Sequence, residues 1–325
     1  MTKLTSILGA IALVGSVATA ATAADVTLRY SYQNPPSHPL GQAAEKFAEA
    51  VKEKSNGEIE VALFPGGQLG GPKDLLQNLQ MGVLDMTMAK PGVLGDMGAP
   101  KLNILSMPYI FTDSEHQGKV LFGPIGEELL GELDQINLAG VGFFVDSPRH
   151  FFFRDKPVEE VPDMAGLKMR SMTGKIFVDM MKSFDTSPTP MPFGELYLAL
   201  QSGVVDGADQ PLTGYYANKF HEVSKHVILD GHDASPTMIL MSKMSWDKLT
   251  DSQKQAVREA HKIAADFFLE NETKMNAEII DTLTEKGITV VPVEDKTPWI
   301  AAVQPMYDEY ADLFGDLVER IRAVE

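Results

Sequence analysis

The sequence predicts an α/β protein of two domains with a ligand cleft between them, and three observations lead to that class. The chain has 325 residues, enough for about two domains of ordinary size. Its first periodic segments read strand, helix, strand with short connections, the order of a parallel α/β unit. One pattern also occurs twice, as Leu75-x-x-x-Leu79-Gln80-x-Gly82-Val83-Leu84-Asp85 and as Leu196-x-x-x-Leu200-Gln201-x-Gly203-Val204-Val205-Asp206. If each copy is a helix, a glycine cap and a strand start, the two halves hold similar units. The space between two such units is the natural place for a ligand.

The elements follow in chain order. Met1 to Lys3 supply a short positive start, Leu4 to Val17 an apolar stretch, and Ala21-Thr22-Ala23 a small-x-small cleavage site, so this segment reads as a secretory leader cut before Ala24. The apolar stretch is shorter than the roughly 20 residues a bilayer span requires. With no cysteine to carry a lipid, the processed chain is expected to be free in a bacterial periplasm. Val26 to Tyr32 alternates and is rich in β-branched and aromatic residues, a strand ended by Asn34-Pro35-Pro36. Ser37 or His38 leads into Pro39, and Ala43, Ala44, Phe47, Ala48 and Val51 recur at helical spacing until Asn56-Gly57. Ile59 to Phe64 is a second strand, stopped by Pro65-Gly66-Gly67.

Near the C-terminus, apolar residues from Ala256 to Leu283 keep helical spacing between Thr250-Asp251 and Lys286-Gly287 with no proline or glycine inside. About 36 residues at 1.5 Å each make a rod of roughly 54 Å, longer than one domain is wide. Either it is one strut shared by both domains, or two helices meet near Asn271. Ile288 to Val293 reads as a strand, and Trp299 to Val324 as a final amphipathic helix or pair.

Composition removes several kinds of function. Lys plus Arg number 28 against 45 Asp plus Glu, a net charge of −17, which argues against a nucleic-acid footprint. Without cysteine there is no disulfide, no thiolate nucleophile and no Cys-ligated zinc. The motifs G-x-S-x-G, G-x-x-x-x-G-K-[ST], H-E-x-x-H and G-x-G-x-x-G are all missing. The histidines are scattered, and the closest pair, His221 and His226, shares no helical face, so neither a metal nor a cofactor is expected.

Two arginines carry the most information, because each interrupts an apolar run. Arg149 stands between Gly142-Phe-Phe-Val and His150-Phe-Phe-Phe153, and Arg170 ends Gly166-Leu-Lys-Met. A buried guanidinium needs an anionic partner, since an unpaired interior charge is expensive. That partner is either a protein carboxylate, the commoner arrangement, or a ligand carboxylate, which the planar fork can grip by both oxygens.

The stretch Pro190-Met-Pro-Phe193-Gly-Glu195-Leu-Tyr197-Leu-Ala-Leu200-Gln-Ser-Gly203-Val-Val-Asp206-Gly207-Ala-Asp-Gln210-Pro211 resembles the signature of the DctP-type solute-binding proteins of TRAP (tripartite ATP-independent periplasmic) transporters. Pro65-Gly-Gly-Gln-Leu69-Gly70, Met107-Pro-Tyr-Ile-Phe111 and Gly166-Leu-Lys-Met-Arg170 add to it, and the resemblance covers nearly the whole chain after the leader. It implies a two-domain periplasmic-binding-protein fold with a long helix spanning both domains. The expected partition is residues 24–148 with 236–270, and 149–235 with 271–325. It also implies a transport function without catalysis: a monomer that closes on a small organic acid, a C4-dicarboxylate or a sugar acid, and delivers it to TRAP membrane permease subunits.

Carried over by residue, the resemblance makes Arg170 the bidentate carboxylate anchor, although Arg170-Ser171-Met172 lacks the proline of the usual R-x-P. Arg149 matches the second arginine, and Phe193 an aromatic that packs on the ligand, with a core role as its plain alternative. Gln210 replaces the usual Asn. Lys90 stands where sialic-acid binders carry an acidic residue, and Gln33 matches another pocket position. Lys90 is expected either to be a solvated loop lysine or to add a third positive charge, which favours a dicarboxylate or a sugar acid. Two readings compete: an enzyme acting on an organic acid, with His150 the only candidate base, and a binding protein of an ATP-driven importer.

Overall fold

The computed structural model describes residues 24–325, and the expected leader lies outside them. The strands are β1 (Val26–Ser31), β2 (Ile59–Phe64), β3 (Met86–Ala89), β4 (Leu138–Phe144), β5 (Arg149–Phe153), β6 (Lys168–Ser171), β7 (Ser187–Pro190), β8 (Gly207–Pro211), β9 (His226–Asp233), β10 (Thr237–Ser242) and β11 (Thr289–Pro292). They form two sheets, ordered β2-β1-β3-β10-β4 and β11-β9-β5-β8-β6-β7. In the first, β1 runs parallel to β2 and β3 while β10 is antiparallel to β3 and β4. In the second, β6 is parallel to β7 and β8, and β5 is antiparallel to β8 and β9. The chain therefore passes from sheet to sheet between β4 and β5 and returns between β9 and β10.

Local chemistry sets the helix after β1. His38 caps it by accepting the Leu40 N–H at Nδ1, Pro39 occupies its first turn, and Ala43, Ala44, Phe47, Ala50 and Val51 are buried. It ends where Asn56 and Gly57 take positive φ of 51° and 84°.

The repeated pattern is structural. Helix Pro72–Gln80 leads through Gly82 (φ 69°) into β3, and helix Leu196–Ser202 leads through Gly203 (φ 77°) into β8. The closing aspartates play one role. Asp85 Oδ2 accepts the Arg29 N–H of β1, and Asp206 Oδ2 accepts the Lys168 N–H of β6, each at 2.9 Å. Each thereby ties its own strand to the neighbouring parallel one.

The long helix is unbroken over Asp251–Glu285, about 52 Å at 1.5 Å per residue. A capping box starts it, Thr250 Oγ1 accepting the Gln253 N–H while Gln253 Oε1 accepts the Thr250 N–H. Its first half buries Val257, Ala260, Ala264 and Phe268 with Tyr30, Met86, Phe144 and Ile239 of the first sheet. Its last turns bury Ile279 and Leu283 with Phe152, Ala208 and Val227 of the second. A single strut thus serves both sheets, and the alternative of a break near Asn271 does not occur.

The C-terminal segment forms three helices, Thr297–Glu309, Ala311–Phe314 and Leu317–Arg322, instead of one or two; the first break falls at Tyr310, and Gly315 turns the chain at φ 55° before the third. These helices touch both sheets' surroundings. The Trp299 ring lies 5.7 Å from that of Phe184, whereas the Ile321 carbonyl meets His116 Nε2 at 2.8 Å.

Candidate functional site: a cleft with one unpaired guanidinium

A cavity of about 140 Å³ opens between the two sheets. All six residues singled out in the sequence line it: Gln33, Lys90, Arg149, Arg170, Phe193 and Gln210. Their positions follow from the topology, since they sit at strand ends or just beyond them, where connections leave open space at the edge of a sheet. Gln33 follows β1, Lys90 follows β3, Arg149 begins β5, Arg170 lies in β6 and Gln210 in β8.

The two arginines differ in their partners. Arg149 Nε lies 2.5 Å from Asp209 Oδ2 and 3.6 Å from Asp233 Oδ2. Its Nη2 donates to the Asp209 carbonyl and its Nη1 to Gln210 Oε1. Burial alone would lower its pKa, but the Asp209 and Asp233 carboxylates outweigh that and raise it. Arg170 is equally buried, at 3 % exposure. Its Nη2 donates to the Met191 carbonyl at 3.2 Å, and its Nε and Nη1 have no partner among the described residues. Desolvation lowers its pKa to about 10, so it remains a full cation at neutral pH. A buried cation with no carboxylate in ion-pair contact is costly; the field of Asp209 offsets only part of the burial, and this cation borders a cavity.

Behind Arg149 lies a closed charge network. His232 Nδ1 meets Asp230 Oδ2 at 2.6 Å, and its ring stacks on Phe151 with centroids 3.9 Å apart. Against burial, which lowers it, Asp230 and Asp209 lift its pKa to about 9. Asp209, flanked by Arg149 and His232, is held well below the usual carboxylate range despite its burial.

Lys90 is a correction to the expectation of a third free cation, and it is not a solvated loop residue either. Its Nζ is 2.5 Å from Asp146 Oδ2 and 2.6 Å from the Ser235 carbonyl, and Thr237 Oγ1 donates to the same Oδ2 at 2.6 Å. Phe193 divides its surface between the two expected roles, lining the cavity and meeting Phe220 edge-on at 5.9 Å. Gln33 is oriented by its own amide, Nε2 donating to the Gly70 carbonyl at 2.9 Å.

Sequence reasoning missed three ionisable lining residues. His38 was read only as a helix start. Its Nδ1 accepts a backbone N–H, which leaves the proton on Nε2, and burial lowers its pKa to about 4, keeping the ring neutral. Glu272 accepts from Ser147 Oγ at 2.6 Å, Thr213 Oγ1 at 2.7 Å and Asn276 Nδ2 at 3.3 Å, while burial raises its pKa. Its signal was present in the buried i, i+4 stripe Ala260, Ala264, Phe268, Glu272, where a carboxyl takes an apolar place. Asp146, third, has no local signal.

The family model for DctP, bacterial extracellular solute-binding protein family 7, matches residues 30–313. The chain belongs to this family. A solute-binding protein of Chromohalobacter salexigens is 31 % identical over 99 % of this chain and 97 % of its own length. Among solved structures, a TRAP periplasmic solute-binding protein of a Polaromonas species bound to D-erythronate is 32 % identical, with a TM-score of 0.89 over 92 % of this chain and 99 % of that one. One from Xanthobacter autotrophicus with bound β-D-galacturonate is 30 % identical, with a TM-score of 0.87 over 92 % and 100 %. This DctP protein is thus a solute-binding component of TRAP transport and not an enzyme. Among the described residues, no helix is long and apolar enough to cross a membrane.

Proposed function

We propose that this DctP protein captures a small organic acid in the cleft, anchors its carboxylate on Arg170, and presents the closed complex to TRAP membrane permease subunits. The observation that carries the reading is the buried Arg170 guanidinium, without a carboxylate partner and bordering the cavity. A ligand carboxylate supplies the missing counter-charge, and the fork lets it bind in one orientation. The sugar acids held by the two similar structures support the same class of solute. An engineered cavity of about 150 Å³ holds one benzene, so the space suits an acid of roughly four to six carbons.

Arg149 and Gln210 form the floor beside Arg170, and Phe193, Lys90 and Gln33 complete the contact surface. The bodies that close are residues 24–148 with 236–270, and 149–235 with 271–325, moving about the long helix and the two crossovers. The processed chain begins at Ala24 and works as a monomer in the periplasm.

A thermal-shift screen across dicarboxylates, uronates, aldonates and 2-oxo acids tests the capture. A bound acid at 100 times its Kd adds about 2.7 kcal/mol of stability, a clear rise in melting temperature. No shift from any acid of the panel overturns the reading.

A further inference from the structure

Three cations line the cleft, but two of them are already spoken for. Lys90 is closed off by Asp146 and the Ser235 carbonyl, and Arg149 by Asp209 and Asp233. Of the three, Arg170 alone has no ion pair with a carboxylate, and its Nε and Nη1 remain to be matched. The other polar groups on the wall are hydrogen-bonding rather than cationic: amides and hydroxyls, and, as ionisable groups, the Nε2–H of His38, the Asp146 carboxylate and the Glu272 carboxyl. Both protein side-chain bonds to Asp146 fall on Oδ2, from Lys90 and Thr237.

We propose that the cleft selects a polyhydroxylated monocarboxylate over dicarboxylates, with the Lys90–Asp146 pair as its specificity-determining element. The proposal rests on the acid-capture reading above. A hydroxyl reaching this wall can donate to Asp146 Oδ1 and accept from His38 Nε2. A second ligand carboxylate at this wall finds no free cation, because Lys90 is already engaged. It has to lie beside the carboxyls of Asp146 and Glu272, or displace Asp146 from Lys90 and leave that aspartate buried without its cation.

Matched acids that differ in one terminal carbon test this directly. D-Erythronate and meso-tartrate, or D-gluconate and D-glucarate, share a skeleton in which a CH₂OH is replaced by a carboxylate. Added to the thermal-shift panel with succinate and malate, and followed by calorimetry, the best ligand is expected to be a monocarboxylate, bound at least about tenfold more tightly than its dicarboxylate counterpart. Asp146→Asn, which frees Lys90, should shrink or invert that ratio. If Asp146→Asn fails to fold, the charge-neutral double variant Lys90→Met/Asp146→Asn should still narrow it. A dicarboxylate as the best ligand of the unaltered protein, or a ratio unchanged in the variant, overturns the selectivity. Absence of binding by every acid, or full affinity retained in Arg170→Ala, overturns the capture reading instead.

Discussion

Arg149 and Arg170 border one cavity, yet Arg149 Nε is 2.5 Å from Asp209 Oδ2 while Arg170 Nε and Nη1 meet no acceptor among the described residues. The two guanidiniums therefore have opposite energetic roles in the empty protein. Arg149 neutralises a carboxylate that is fully buried, whereas Arg170 makes no ion pair and its burial outweighs the field of Asp209. Electrostatic strain of this kind persists at binding sites because the ligand relieves it.

Arg149→Ala should accordingly unsettle the fold before any question of ligand arises. It takes the guanidinium from Asp209 and Asp233, leaving only the more distant His232 beside Asp209, and breaking a buried pair from one side costs about 3–5 kcal/mol. Differential scanning calorimetry of the ligand-free variant is expected to show a melting temperature lower by many degrees. A melt equal to that of the unaltered protein would remove Arg149 from the scaffold.

The histidines should divide sharply on titration. Burial holds His38, His150 and His261 at about 4, so their imidazole signals in NMR should still be those of the neutral ring at pH 5.5. His232, at about 9, should remain protonated at pH 7.5. Its folded pKa lies above the unfolded 6.5, so its contribution is complete below pH 6.5 and is lost as pH rises towards 9. Thermal stability is therefore expected to fall between pH 7 and 9, and a steady rise there would contradict the network around Asp230.

The strut meets the first sheet at a point with no spare volume. A Cβ added to Gly142 of β4 would lie 2.1 Å from His261 Nε2 on the long helix. Gly142→Ala should cost about 1–3 kcal/mol through overpacking, read as a lowered denaturation midpoint. Adding His261→Ala should return part of that loss. A neutral Gly142→Ala would mean that helix and sheet are not in this contact.

The strut was legible because helical spacing ran from Thr250 to Lys286 without a breaker, and the paired units because Gly82 and Gly203 sit at equivalent caps. Arg170 and Arg149 were legible as charges in apolar runs, but not as different kinds of charge. Their difference depends on which side chains the register of β5 against β8 and β9 brings alongside them, and Asp209 faces Phe151 across that ladder while still reaching Arg149. Lys90 and Asp146 were illegible as a pair for a similar reason. They are 56 residues apart and meet only because β10, the strand returning from the second sheet, inserts between β3 and β4. Spacing along a chain carries no trace of such a contact, whereas Glu272 broke a helical stripe and could have been found.

Isothermal titration of the best acid from the thermal-shift panel into Arg170→Ala, paired with a ligand-free melt of the same variant, tests the central claim most directly. Removing the anchor leaves the ligand carboxylate buried without its partner, a loss of roughly 2–5 kcal/mol, or about 30-fold to several thousandfold in Kd. The empty variant loses only one hydrogen bond, to the Met191 carbonyl, and sheds a desolvated charge that makes no ion pair, so its melting temperature should be unchanged or higher. Affinity equal to that of the unaltered protein, or a ligand-free melt lowered by many degrees, would assign Arg170 to the scaffold and contradict its role as the carboxylate anchor.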